Sequence, residues 1–410
     1  MTAARRGVAI AGIAGALALM IRCAFPMAAG LDYWQDASAP IDALARGDLH
    51  GFAASPALMG NFSLFLRAPF VALVFQGSLS TVYFVGVVPC LAAVVVLALV
   101  LRRLMLAAGR PAAAAALVAC VALVNPGIFR SVHWGHPEEF LAGALAVLAV
   151  IAATRGRCLL SGVLLGLALA TKQWALIAVI PTLLAAPHHR PRLLAFAAVV
   201  AVLITLPSLL AAPHGFVATN QGLAKAAPIV TPVNVWWPIS HKAPTEFGHR
   251  FTMSAQLSAL THPAIVLAAL PLGFLFWRRR RELAPEDALG LLALLMLLRC
   301  VLDPWNNDYY HVPFLLALLA WEALARDGWP RATLLSGAAL ALIFPTDIVR
   351  MSSLDPHALR YNVLYLAWGL SMGAWLAMSL FAPGALSTAR ERLLRRRFRR
   401  DPAPLATVRA

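Results

Sequence analysis

Charged residues are scarce in this 410-residue chain, and their scarcity argues against most classes of soluble protein. Asp, Glu, Lys and Arg make up 13% of the residues, roughly half of the share that is typical of a soluble domain. Apolar residues make up 61%, and the mean hydropathy is +0.76. This composition excludes a disordered protein and disfavours a cytosolic enzyme. It predicts an all-α, polytopic membrane protein.

Cysteine and the best-known catalytic motifs are also missing or sparse. The five cysteines are scattered through apolar stretches and form no CxxC pair, so they predict neither a disulfide framework nor a metal site. The chain contains no P-loop, no GxGxxG after a strand, no HExxH and no nucleophile elbow. Any chemistry must therefore be sought in less familiar groups of residues.

Long apolar runs are what the chain does have, and a transmembrane helix needs about 20 residues. They predict about 12 spans, at 7–28, 80–104, 111–127, 138–154, 158–171, 174–187, 191–212, 262–277, 286–302, 309–325, 331–347 and 361–382. The first run is longer than the core of a signal peptide, which favours an uncleaved anchor over a cleaved leader. The stretch 57–76 is apolar but contains Arg67, so we expect a surface or re-entrant helix there.

Basic residues indicate how these spans are oriented. The side that would hold both termini carries 23 of the 34 Lys and Arg residues but only 7 of the 18 acidic ones. By the positive-inside rule this side is cytoplasmic. Topology and anionic lipids then explain the net charge of +16, and no nucleic-acid partner is predicted. We expect one membrane domain over 1–387 with long outer segments at 29–79 and 213–261, and a basic cytoplasmic tail over 388–410.

Two acids follow directly after the first predicted span, at the expected outer boundary of the membrane. Asp32 and Asp36 are each candidates for a general base, since a carboxylate at this boundary is within reach of a lipid headgroup. The alternative is that they belong to the solvated face of a loop helix. The sequence does not choose between these readings, nor between the two acids.

A second polar cluster lies in the short outer segment 128–137 and the start of the next predicted span. His133, His136, Glu138 and Glu139 are residue types that bind metals, but their spacing has no helical HxxxH pair. A solvated turn with acids at the start of a helix explains the same residues. We select His133, His136 and Glu138 as candidate substrate-binding residues and predict no metal ligands.

Lysine is restricted to three positions, and one of them ends a glycine-rich helix. Gly162 and Gly166 are four residues apart, which allows close packing against a neighbouring helix, and Lys172 follows at the outer end. An ionisable group between two apolar helices suggests a function, with a phosphate at the membrane boundary as its counter-ion. A lysine that merely extends to the interface is the alternative.

The segment after Arg299 is rich in aromatic, amide and acidic side chains. An aromatic belt at the membrane interface explains the aromatic residues but not the amides and acids beside them. Aromatic rings with Asn and Asp groups are also what carbohydrate sites contain. The candidate binding residues are Arg299 itself and, in the segment that follows it, Asp303, Trp305, Asn306, Tyr309, Tyr310 and His311. The segment 213–261, with Trp236 and Trp237, is interpreted as a lid or acceptor platform.

In their order along the chain, these features resemble the GT-C superfamily of membrane glycosyltransferases, and glycosyltransferase family 87 in particular. The opening Asp32-Tyr33, the Gly135-His136-Pro137 turn and the helix from Gly162 to Lys172 are similar to motifs of that family, over roughly residues 1–325. The resemblance implies a GT-C-like fold with re-entrant or juxtamembrane helices in the first outer loop. It also implies an inverting transfer of mannose or another hexose or pentose from a polyprenyl-phosphate carrier to a lipid or glycan acceptor.

The resemblance also implies roles, a location and the partners. Asp32 or Asp36 would act as the base, and Lys172, with Arg67 or a histidine, would neutralise the departing lipid phosphate. Membrane lipids, the lipid-linked donor and the acceptor are the expected partners, and no cofactor or metal is required. The protein would lie in the plasma membrane with an extracytoplasmic active site. A secondary transporter and a non-catalytic, lipid-carrier-binding assembly protein of the envelope remain as alternatives.

Overall fold

The computed structural model describes residues 31–55, 60–224, 228–245, 248–279, 281–344 and 357–383. The predicted span 7–28 and the predicted tail 388–410 lie outside the described residues. Almost all of the described chain is helical, and the element bounds are as follows.

The helices of the first half are α1 (Leu31–Asp36), α2 (Ser38–Ala45), α3 (Leu49–Ala54), α4 (Asn61–Ala72), α5 (Leu79–Ala107), α6 (Ala112–Leu123), α7 (Pro126–Trp134), α8 (Pro137–Thr154), α9 (Cys158–Thr171), α10 (Val179–Ala185) and α11 (Arg190–Ala211). The second half contains α12 (Pro213–Ala224), β1 (His241–Thr245), β2 (Gly248–Thr252), α13 (Ala255–Arg279), α14 (Asp287–Leu302), α15 (Val312–Ala325), α16 (Arg331–Ile343) and α17 (Ala358–Phe381). Short 3₁₀ helices cover Gln173–Ala178, Trp237–Ile239 and Asp308–His311.

Helix α8 is the centre of the bundle. Every residue from Pro137 to Ala153 is buried, so the helix has no face toward solvent or lipid. It packs against α5, α9 and α15. A helix that is apolar all round is expected in such a position. The first turn of α8, which carries Glu138 and Glu139, is therefore surrounded by other helices.

Helices α9 and α11 pack closely because α9 presents glycines to α11. A Cβ atom added at Gly162 would lie 2.6 Å from the carbonyl oxygen of Leu193, and one added at Gly166 would lie 2.6 Å from that of Ala197. Both distances are shorter than a Cβ atom can make, so a side chain at either position would push the two helices apart. The close packing predicted from the four-residue spacing is thus present, and it fixes the helix that ends at Lys172.

We expect Gly166→Ala to lower the free energy of unfolding by about 1–3 kcal/mol, because overpacking at a tight helix contact forces the backbone to shift. The apparent unfolding temperature of the protein in detergent measures this effect. Gly373→Ala in α17 is the matched control, since the added Cβ would lie 3.8 Å from the nearest atom, on Leu297. An unfolding temperature for Gly166→Ala equal to that of the control would contradict the close contact.

Six helices of the described chain are long and apolar enough to cross a membrane, which makes this a multi-pass membrane protein. They are Ser80–Ala107, Ala112–Trp134 (α6 and α7 taken together), Pro137–Thr154, Arg190–Ala211, Ala255–Arg279 and Ala358–Phe381. The predicted number of about 12 is not confirmed. Several predicted runs form shorter helices, such as the 14 residues of α9, and the described residues leave out the first run.

Three other expectations differ from the structure. The all-α prediction misses the antiparallel pair β1–β2 inside 213–261, whose Pro244 and polar residues give no alternating apolar pattern. The helix α4 lies within 57–76 as predicted, but it packs against α2 and α5 rather than lying on the surface, and the re-entrant alternative stays a prediction. The run 111–127 divides into α6 and α7, because Asn125 accepts a hydrogen bond from Gly127 N and starts a new helix.

Candidate functional site

The corner between α7 and α8 positions the first acid. Gly135 ends α7 with φ +89°, a conformation that favours glycine, and a Cβ at this position would lie 2.8 Å from the Cβ of Tyr33. The missing side chain lets α1 rest directly on the corner. Asp32, the residue before Tyr33, is thereby brought beside His136, which comes 104 residues later in the sequence.

His136 links two carboxylates. Its Nε2 lies 3.0 Å from Asp32 Oδ2, and its Nδ1 lies 2.7 Å from Glu138 Oε1. Burial favours the neutral imidazole, but the charge of Glu138 and the hydrogen bonds to Asp32 and Glu138 outweigh it and raise the pKa of His136 to about 9. The ring is therefore an imidazolium at neutral pH, and it donates a hydrogen bond to each carboxylate.

Lys172 continues this chain of charges at the end of α9. Its Nζ lies 3.0 Å from Glu138 Oε1 and 3.6 Å from Glu139 Oε1. Burial disfavours the ammonium group, but the two glutamates overcome this effect and raise the pKa of Lys172 above its ordinary value. The side chain is 19% exposed, whereas Glu138 is fully buried. Asp32, His136, Glu138 and Lys172 therefore form one continuous chain of ion pairs.

Arg299 forms the inner end of the charged cluster. Its Nη1 lies 3.3 Å from Glu139 Oε2 and donates a hydrogen bond to the carbonyl oxygen of Tyr310 at 3.2 Å. The guanidinium lies over the rings of Trp174, at 4.8 Å, and Tyr310, at 4.6 Å. Both charged partners are almost completely buried. Arg299 thus connects the polar segment that follows it, through Tyr310, to Glu139 in the first turn of α8.

An aromatic ring fixes the plane of His136. The Tyr309 ring is stacked on the imidazole with a centroid distance of 4.6 Å and an interplanar angle of 18°. Tyr310 packs edge-on against Tyr309. With hydrogen bonds at both ring nitrogens and an aromatic face against the ring, His136 has little freedom to rotate.

Asp36 lies one helical turn after Asp32, on the same face of α1. Burial is the main cause that raises the pKa of Asp36, and the charges of Asp32 and Glu138 add to it, while His136 and Lys172 oppose it. Within the described residues Asp36 makes no ion pair. It belongs to the same electrostatic cluster as Asp32 but is not held by the histidine.

Two further candidates are Arg67 and His133. Arg67 of α4 is fully buried with its guanidinium 5.2 Å from the centre of the Tyr33 ring, and none of its side-chain nitrogens reaches a hydrogen-bond partner in the described part of the chain. It does not form part of an open surface. His133 lies in the last turn of α7 and packs edge-on against Trp134.

The remaining candidates make contacts within the fold, and one of them, Asn306, connects the segment 228–240 to the bundle. Asn306 donates a hydrogen bond to the carbonyl oxygen of Val233, and the His311 ring is hydrogen-bonded to the hydroxyl of Tyr365. Both side chains are fully buried, so the structure gives them contacts inside the fold. Asp303 accepts a hydrogen bond from the backbone N–H of Trp305, and it lies 3.5 Å from His262.

Two members of the cluster were not selected from the sequence. Glu139 joins Lys172 to Arg299, and Trp174 covers the guanidinium of Arg299. The signal for Glu139 was present, since an acid directly before 15 apolar or small residues has to be paired when its helix is buried. Trp174 is indistinguishable from an interface tryptophan until the fold is known.

The acids and histidines of the described residues form no group of three or more that could hold a metal ion. That the reaction needs no cofactor stays a prediction.

Comparison with known proteins gives a family match. The model of glycosyltransferase family 87 matches residues 60–304, which is more than half of the chain. The matched range contains His136, Lys172 and Arg299 but begins after Asp32. No curated protein matches the chain.

One solved structure that aligns with this chain is that of the archaeal oligosaccharyltransferase AglB from Archaeoglobus fulgidus, in complex with an inhibitory peptide and a dolichol-phosphate. The two are 13% identical, with a TM-score of 0.42, and the alignment covers 91% of this chain. It covers 56% of the archaeal protein, so this chain spans little more than half of that protein's length.

Proposed function

This chain belongs to glycosyltransferase family 87, and we propose that it is an inverting enzyme that uses a polyprenyl-phosphate-linked sugar. In this proposal mannose, another hexose or a pentose is moved to a lipid or glycan acceptor of the cell envelope. The reaction takes place at the extracytoplasmic face of the plasma membrane, and both termini are cytoplasmic. That the protein is a membrane glycosyltransferase follows from the family match and the apolar helices.

The proposal depends most on the position of Asp32 at the open end of a buried chain of charges. The exposed fraction of the side chain falls from 38% at Asp32 to 9% at His136 and 0% at Glu138. Asp32 Oδ2 is held by His136, while Oδ1 makes no hydrogen bond within the described residues. A carboxylate with one fixed and one available oxygen is suited to accept a proton from an acceptor hydroxyl.

Each bond change can then be assigned. Asp32 takes the proton of the acceptor hydroxyl while that oxygen attacks the anomeric carbon of the donor sugar. The bond between this carbon and the phosphate oxygen breaks on the opposite face, so the configuration inverts. The electron pair of the broken bond stays on the polyprenyl phosphate, which leaves with an additional negative charge.

Lys172 is the cation that we assign to this developing charge. Of the three cations in the charged cluster, His136, Lys172 and Arg299, Lys172 has the most exposed side chain, at 19%. Preorganised charge aimed at a leaving group is commonly the largest single contribution to catalysis. Glu138 and Glu139 hold the ammonium group in place before the donor binds. Arg67 is fully buried, so in this proposal its charge acts on the site only through the electric field.

Transfer by the purified protein in lipid nanodiscs tests this function. The donor is a radiolabelled polyprenyl-phosphate mannose, and a lipid extract of bacterial envelopes supplies acceptors. We expect labelled product and an equal amount of released polyprenyl phosphate. Asp48→Asn is a matched acidic control outside the cluster and should retain full activity, since asparagine also caps the helix that Asp48 starts. A donor that crosses a proteoliposome membrane without being consumed would instead identify a transporter.

A further inference from the structure

The arrangement around His136 contains more than the proposed reaction requires. A general base needs only a carboxylate near the acceptor, yet Asp32 is bonded to a ring whose other nitrogen is bonded to a buried glutamate. The same ring is stacked on Tyr309. Three independent contacts therefore fix one side chain that is itself almost completely buried.

We propose that His136 is a positioning residue, which holds Asp32 Oδ2 through a charged hydrogen bond so that Oδ1 faces the acceptor hydroxyl. This inference rests on the proposed function, because it assigns His136 a role in that same transfer. It places no substrate contact on His136. Glu138 has the corresponding role one step further inward, since its Oε1 lies 2.7 Å from His136 Nδ1 and orients the imidazole.

The charges around the ring favour the protonated form from several directions. Asp32 and Asp36 face it from α1, Glu138 faces it from the first turn of α8, and only Lys172 opposes it from the end of α9. Tyr309 contributes its uncharged ring face from the other side. The group that holds the base is therefore an imidazolium under ordinary conditions.

A ring that already carries both protons cannot accept a third. The proton that Asp32 takes from the acceptor therefore does not pass to His136, and it must leave Asp32 through its exposed side. This distinguishes the arrangement from a histidine that works as a general base. Here the carboxylate is the base, and the histidine supplies geometry and charge.

Deprotonation has a specific consequence. A neutral imidazole carries one N–H, and the shorter hydrogen bond to buried Glu138 is the one that retains it. The lone pair of Nε2 would then face the Asp32 carboxylate. Both groups are hydrogen-bond acceptors, so no proton would lie between them and the hydrogen bond that holds Asp32 would be lost. We expect the turnover number to fall as the pH rises through about 9, the pKa of His136.

The test compares His136→Gln and His136→Ala with the unchanged protein in the nanodisc transfer assay between pH 6 and 10. We expect His136→Ala to lower kcat about 10²-fold, the cost of misplacing a reacting group by about 1 Å. His136→Gln keeps a neutral N–H donor, which is weaker than a charged one, and its kcat should fall about tenfold. The KM for the donor should stay unchanged in both variants, and the alkaline fall of kcat near pH 9 should disappear.

Three results would overturn the inference. One is a kcat unaffected by either substitution, another is a raised KM with an unchanged kcat, and the third is an alkaline fall that persists in His136→Gln. Failure of the proposed function looks different, since no variant, and not even the unchanged protein, would then transfer sugar.

A stability measurement, which needs no sugar transfer, distinguishes failure of the inference about His136 from failure of the proposed function. The pKa of His136 is raised on folding, so its contribution to stability is complete below about pH 6.5 and is lost as the pH rises toward 9. The unfolding temperature of the unchanged protein should therefore fall over this range relative to that of His136→Gln. Parallel curves would show that folding does not raise the pKa of His136 and would also overturn the inference.

Discussion

Asp32→Asn is expected to lower the kcat for sugar transfer by about 10²–10⁴-fold, the range that general-base catalysis contributes. Asparagine has the same shape, and its side-chain oxygen can still accept the hydrogen bond from His136 Nε2. The substitution removes only the ability to take a proton. A loss of this size with an unchanged KM would therefore identify the base, and transfer assays over a range of donor concentrations separate the two parameters.

Asp36→Asn is the matched comparison, because Asp36 lies on the same face of the same short helix. We expect a loss of less than tenfold, since Asp36 is not oriented by His136. The opposite outcome, an inactive Asp36→Asn beside an active Asp32→Asn, would transfer the role of base to Asp36. Equal and complete activity in both variants would refute a general base on α1 altogether.

Arg299→Met should destabilise the folded protein by about 3–5 kcal/mol, the usual cost of leaving one member of a buried ion pair without its partner. The guanidinium is the partner of Glu139, which is 1% exposed and lies beside Glu138. Without Arg299, Glu139 would retain only Lys172, at 3.6 Å, and it would share this lysine with Glu138. Unfolding in detergent, followed by tryptophan fluorescence, measures the change independently of activity.

Two further variants make this result specific. Glu139→Gln combined with Arg299→Met removes both charges and should recover a large part of the lost stability, as expected for a pair whose members depend on each other. Arg331→Met breaks an exposed pair with Asp327, at 2.8 Å, and should cost less than about 1 kcal/mol. If Arg299→Met and Arg331→Met had equal effects, the buried pair would not hold α14 to α8.

The apolar pattern of the sequence predicted most of the helices well. The run 158–171 corresponds to α9 residue for residue, and 138–154 differs from α8 by one residue. These agreements follow from the local nature of the signal, because an apolar stretch bounded by arginines or prolines specifies its own helix. The pattern does not reveal which helices face lipid. The number of about 12 spans that was predicted from this pattern is not confirmed, and the pattern missed the hairpin β1–β2.

The site was predicted as residues but not as contacts. Lys172 was singled out from the sequence as an unusual cation, but its pairing with Glu138 and Glu139 depends on how α8 packs against α9. His136 was selected as a substrate-binding residue, and the structure adds that it lies between Asp32 and Glu138. His311 and Asn306 carried the same polar signal but are buried in the fold. A polar residue type does not encode whether its partner is a ligand or another side chain.

The sequence by itself determined that the molecule is a helical membrane protein. It also showed the small residues Gly162 and Gly166 at a helix contact, and it showed that ionisable groups are confined to a few positions. These properties are set by composition and by neighbours within a few turns, so they can be read along the chain. Only the tertiary structure decided that Asp32, His136, Glu138 and Lys172 form a continuous chain of ion pairs. The physical reason is that charges buried in an apolar bundle are stable only when paired, and the pairing was made by the packing of α1, α8 and α9.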